Sequence, residues 1–223
     1  MIRARCRLAA AWLLVGLAAA ALAEEEAART ITRAESMLFE TDHLGGLALP
    51  AQLDYRYSRD GEAPVEDRIV LTVSRERRVE PDYLTGERHA NFPPIDNAQG
   101  NPVLLYFLER DLREMQQETG GRADYFRRLI RRALADPGVA VQAIEVSFGG
   151  RKLPASRVVI EPYRNDPMAP VRYPTLIAKR YEFVLAAEAP GQVVSMASAV
   201  PLAGGRTVTE RVELIGATPG REP

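Results

Sequence analysis

Side chains able to do chemistry are few in this sequence. It has two histidines and one cysteine. His43 follows Asp42, and His89 sits in Glu87-Arg88-His89. A zinc site needs several His, Cys or carboxylate ligands to converge. Neither histidine has ligand spacing, and the arginine beside His89 would repel a cation. Both read as solvated loop residues, and no metal or cofactor is expected. A Ser-His-Asp hydrolase would need one of the same histidines, and no Gly-x-Ser-x-Gly elbow occurs. There is no phosphate loop and no dinucleotide fingerprint; Gly149-Gly150 reads as a hairpin turn. Glu109, Asp111 and Glu114 are close in sequence, but Glu109 with Arg113 and Arg110 with Glu114 read as i,i+4 pairs on the outer face of a helix. No catalytic residue is named. An enzyme built on this chain would have to work with carboxylates.

Two other groups are suited to binding. Arg122, Arg127, Arg128, Arg131 and Arg132 form a basic cluster on one predicted helix. Arg127, Arg128, Arg131 and Arg132 would offer a face to an anionic headgroup, a membrane surface or an acidic partner. The same pattern also describes a solvated face opposite an apolar stripe. The aromatics Tyr55, Tyr57, Phe107, Tyr181 and Phe183 either line a hydrophobic cavity or fill it as core. Nucleic acid is not an expected partner, because the chain is net acidic at −1.

The N-terminus predicts a compartment. Arg3, Arg5 and Arg7 form a positive start, and an Ala- and Leu-rich run extends from Leu8 to about Leu22. Ala21-Leu22-Ala23 is a small-x-small cleavage pattern. The run is shorter than the roughly 20 apolar residues of a membrane-spanning helix. Residues 1–23 therefore read as a signal peptide cleaved near Ala23, leaving a chain with no transmembrane anchor that is periplasmic or secreted. Cleavage also removes the single cysteine, Cys6, and the single tryptophan, Trp12. The remainder has no disulfide and must rely on its core, as an exported domain of this length can.

Residues 24–216 are expected to form one domain, followed by a flexible tail at 217–223. Residues 24–36 are weakly helical, with Ala27, Ile31, Ala34 and Leu38 at spacings of three and four. Alternation predicts strands at Gln52–Ser58, with Leu53, Tyr55 and Tyr57 on one face, and at Arg68–Ser74. A weaker third strand is read over Tyr83–Phe92. Asn101-Pro102 opens a helix whose stripe is Leu104, Leu105, Leu108, Leu112 and Met115, and Gly120-Gly121 ends it. A second helix, about Asp124 to Ala135, buries Tyr125, Phe126, Leu129, Ile130, Ala133 and Leu134. Together they make a helical hairpin over 101–135. Five more strands follow: Val141–Phe148, Ser156–Tyr163, Ile177–Ala186, Gln192–Val200 and Arg206–Ile215. Short turns between neighbours mean antiparallel pairing. The fold class is α+β: a curved, half-barrel-like antiparallel sheet with the helical hairpin packed on one face.

This layout resembles the half-open β-barrel of periplasmic lipoprotein carriers. The likeness rests on the signal peptide, the helix at 24–36, the helix pair and the terminal meander. The stretch Gly100 to Asp111, with Thr119-Gly120-Gly121 and Tyr125-Phe126-Arg127, looks like that of exported bacterial proteins of uncharacterised activity. The resemblance implies a non-catalytic exported protein binding a lipid or other hydrophobic ligand between sheet and helices. The alternative is an envelope protein that binds or assembles other proteins without a small ligand. Its contact surface would be the basic helix face or the proline-rich segment Glu161 to Pro174.

Overall fold

The structure, a computed structural model, describes residues 30–61 and 65–220. The predicted signal peptide and residues 24–29 of the predicted first helix lie outside the described residues. The chain divides into Met1–Ile31 and Thr32–Pro223, and the account below concerns the second unit.

Alternating apolar residues build a sheet of eight antiparallel strands. These are β1 (Ala51–Arg59), β2 (Val65–Val73), β3 (Val79–Tyr83), β4 (Val141–Phe148), β5 (Arg151–Ile160), β6 (Arg180–Leu185), β7 (Val193–Pro201) and β8 (Thr207–Pro219). Their order is β3-β2-β1-β8-β7-β6-β5-β4. The sheet is open, with β3 and β4 as its edges, so the curved antiparallel α+β expectation holds. On β1 the alternation buries Leu53, Tyr55 and Tyr57 on one face. Gly149 and Gly150 join β4 to β5 with φ of 56° and 76°. Positive φ at both central residues suits a tight hairpin turn, and glycine adopts it without strain.

Topology dictates where the helices go. β3 and β4 are consecutive strands in the chain yet occupy opposite edges, so the segment between them must cross the whole sheet. That segment carries α2 (Val103–Thr119) and α3 (Ala123–Leu134). The short α1 (Arg33–Glu35) precedes β1 and runs on into a π-helical turn over Ser36–Glu40. Thr32 and Glu35 cap α1 reciprocally, and the Thr32 hydroxyl donates to the Leu134 carbonyl at 2.7 Å. Asn101 Oδ1 accepts the Val103 N–H at 3.2 Å, but the N-cap position itself is taken by Pro102, one residue later than the sequence predicts. Gly120 ends α2 at φ 67°. A side chain at Gly121 would place its Cβ 2.6 Å from Phe126 Cζ, so the connection must be bare for α3 to pack. A further short helix, α4 (Ala169–Arg172), lies in the proline-rich segment before β6.

Several expectations change. The third strand lies at Val79–Tyr83, not Tyr83–Phe92. Pro81 argues against a central strand, but β3 is an edge strand, where proline is tolerated. β8 runs on to Pro219, with Ala217, Thr218 and Pro219 opposite Leu53, Gln52 and Ala51. Leu105, placed in the α2 stripe, is 50% exposed. Asp111 takes a buried position in that stripe instead.

Candidate functional site

The interface between α2 and the sheet holds every aromatic proposed as ligand-lining. Tyr55 and Tyr57 come from β1, Tyr181 and Phe183 from β6, and Phe107 from α2. None is more than 2% exposed. Their hydroxyls are committed to protein partners. Asn101 Nδ2 donates to the Tyr55 hydroxyl at 2.7 Å. Tyr57 donates to Glu210 Oε1 at 2.9 Å, and Tyr181 to Asp111 Oδ2 at 2.5 Å. Burial raises the pKa of all three phenols, and nearby carboxylates add to this at Tyr57 and Tyr181. All three therefore stay protonated, Tyr57 and Tyr181 as donors and Tyr55 as an acceptor from Asn101.

A polar layer runs through this interface. Asp111 on α2 faces Lys179, Tyr181 and Ser198. The Lys179 ammonium lies 2.6 Å from Asp111 Oδ1, and the Ser198 hydroxyl donates to the same oxygen at 3.3 Å. Tyr163 lies 3.4 Å from the Tyr181 hydroxyl. One residue before Asp111, Arg110 donates to Glu210 Oε2 at 2.6 Å and lies 3.3 Å from Glu114. Its guanidinium also sits 5.1 Å from the Tyr57 ring centroid. Arg59 bridges Glu114 at 2.7 Å and Glu210 at 3.4 Å. The Arg110–Glu114 pair thus faces the sheet rather than solvent, which corrects the sequence expectation. It turns inward because the buried Glu210 needs a cation. Burial, aided by Glu114 and Asp111, still holds the Glu210 carboxyl above the usual carboxylate range, against the pull of Arg110.

In an open cleft an Asp-Lys-Tyr-Ser set could carry general acid–base chemistry. Here all four residues are at most 4% exposed. They fasten α2 to β6 and β7, and any substrate would first have to displace the helix.

His43 is buried, which overturns its reading as a solvated loop residue. Its Nδ1 accepts the Asn101 N–H at 3.0 Å, and its Nε2 donates to the Met37 carbonyl at 2.8 Å. The neutral ring fits this pair of bonds. Desolvation lowers its pKa, opposed by the Met37 bond and by Asp42. Asn101 Nδ2 also reaches the Gly191 carbonyl at 2.8 Å, so His43 and Asn101 tie the start of α2 to the β6–β7 turn. His89 is half exposed, 3.9 Å from Asp82.

The α3 arginines differ in their surroundings. Arg127 is bound by Asp124 at 2.6 Å and Glu109 at 2.9 Å. Arg128 lies 5.7 Å from the Tyr125 ring centroid. Arg131 and Arg132 are exposed, and Arg132 borders a groove that also holds Asp136, Glu161 and Asp166. Beside α3, Tyr125 hydrogen-bonds Asp166 and packs on Tyr173, 5.4 Å between centroids. That ties the proline-rich segment to α3. The segment turns Met168 and Val171 outward, the latter 77% exposed.

No family profile matches this chain. No curated protein matches it either. Among solved structures the chain is similar to the crystal structure of MucB, at 15% identity and a TM-score of 0.36. The alignment covers 85% of this chain and 58% of that one. The chain thus spans well under two thirds of that protein, and at this level of likeness no property passes between them. No helix among the described residues is long and apolar enough to cross a membrane.

Proposed function

We propose that this chain is an exported, non-catalytic protein of the envelope that acts by binding another protein. In this reading residues 1–23 are removed and the mature chain begins at Glu24. One observation carries the choice over a lipid or other hydrophobic ligand. The five aromatics available to line an apolar cavity are buried to within 2%, and the three phenols among them are bound to protein groups. Ligand pockets need apolar surface left free for the ligand. The binding surface in this reading is the outward side of α3, with the exposed Arg128 and Arg131, together with the segment Glu161 to Pro174, with the exposed Met168 and Val171. Solvent-facing apolar side chains and exposed arginines suit a protein contact.

The test begins with the protein purified gently from its own envelope fraction. Native mass spectrometry should give the mass of Glu24–Pro223 with no small adduct. A photo-crosslinker placed at Val171 in intact cells should capture a defined protein, and one at the exposed Glu188 should not. An adduct identified as a lipid would restore the hydrophobic-ligand reading. Monomer alone from Val171, where control complexes are captured, would remove the interaction reading.

A further inference from the structure

A second surface lies on the sheet face turned away from the helices, and it does not depend on the α3 reading. β7 sends Met196 and Ser198 inward, so Ala197, Ala199 and Pro201 point outward in a row. These small side chains floor a trench of about 590 Å3 along β7. The register fixes its walls. Ala197 lies between Glu182 on β6 and Arg211 on β8, and Ala199 between Arg180 and Thr209. Thr207 continues the β8 wall beside Pro201.

The charges in the trench are unevenly satisfied. Glu182 is held by Arg157 at 2.5 Å and stands 3.9 Å from Arg180. Glu161, at one end, is paired with Arg164. The two acids are therefore held mainly by other arginines. Arg180 is exposed with only the 3.9 Å contact to Glu182, and Arg211 is exposed with no charged partner among the described residues. Two guanidinium groups thus face each other diagonally across the alanine floor. Arginine forks favour carboxylate and phosphate oxygens.

We infer that this trench binds an acidic polypeptide segment in extended conformation. The two arginines stand at successive outward levels of β7, about 7 Å apart along the strand. That is the spacing of side chains i and i+2 in an extended peptide, so a Glu-x-Glu segment running along β7 places one carboxylate at each. Threonines on the β8 wall offer hydroxyls to its backbone. The lining holds no aromatic side chain. Sugars and nucleobases are usually gripped by stacking on such rings. Its floor is also too short in apolar side chains to hold an acyl chain.

The probe is the blocked peptide acetyl-Glu-Thr-Glu-Thr-Glu-amide, titrated into the isotope-labelled full chain and followed by amide NMR at low and high salt. Shifts should centre on residues 180, 197, 199, 209 and 211, and the affinity should fall as salt rises. Arg211→Glu should weaken binding by about tenfold or more, because an attraction becomes a repulsion. Arg211 is exposed, so the variant should keep its melting temperature. Ala199→Leu, which fills the floor, should weaken binding without a change of charge. The inference is overturned by absence of shifts at peptide concentrations on the order of millimolar. It is equally overturned by shifts confined to α3, by equal binding of the lysine counterpart peptide, or by tighter saturation with inorganic phosphate or anionic vesicles.

Discussion

His43 shows how far a single side chain can depart from what its neighbours in sequence suggest. Next to Asp42 it reads as an exposed, easily protonated residue. In the fold its ring accepts one backbone N–H and donates to one carbonyl, so a second proton would leave the Asn101 N–H without an acceptor. Its native pKa lies below the ordinary 6.5. The unfolded chain therefore takes the proton first, and stability falls as pH drops from about 6.5 toward the lower native value. Urea midpoints should decrease between pH 7.5 and pH 5, and His43→Gln should flatten that slope. An identical slope in the variant would assign the acid sensitivity elsewhere. Asp111 teaches the converse. Its position, seven residues after Leu104 and three after Leu108, puts it on the buried arc of α2. That signal was in the sequence. Its partners were not, because Lys179 and Ser198 are 68 and 87 residues away.

At the scale of elements, α2 is held to the sheet by a buried ion pair as well as by apolar packing. Breaking a buried pair on one side is far more damaging than replacing both sides with apolar groups. Asp111→Asn should destabilise the chain by about 3–5 kcal/mol, since it strands the Lys179 ammonium. The double variant Asp111→Leu/Lys179→Met should recover most of that loss. Chemical denaturation of the two variants beside the parent chain measures the difference. If both variants lose stability equally, the pair contributes more than charge compensation. The strands follow a simpler rule. Parity along β7 and β8 already puts Ser198 and Glu210 on the inner face with Met196 and Val212. The missing information was that Asp111 and Arg110 would come down to meet them.

For the whole molecule, the strand order sets the pattern of stability. β1 and β8 pair over nine positions at the centre of the sheet, joining the two halves of the chain. β3 and β4 each have one neighbouring strand. Hydrogen exchange should be slowest in β1, β8 and β7 and fastest in β3 and β4, because edge strands open without disturbing the core. Slow exchange throughout β4 would show that its free edge is covered in solution.

The sequence by itself determined the alternation of most strands, both helices of the hairpin, the glycine that ends the first and the α+β class. These are local properties, set by side-chain period and by turn residues such as Gly149-Gly150 and Gly120. It also placed Tyr55, Tyr57, Tyr181 and Phe183 on the inward face. Only the tertiary structure decided that β8 lies beside β1, that β3 and β4 sit at opposite edges, and that α2 crosses between them. Whether the aromatics line a space or fill it depends on that crossing. So does the pairing of Asp111 with Lys179, because a buried charge finds its partner through space and leaves no spacing along the chain.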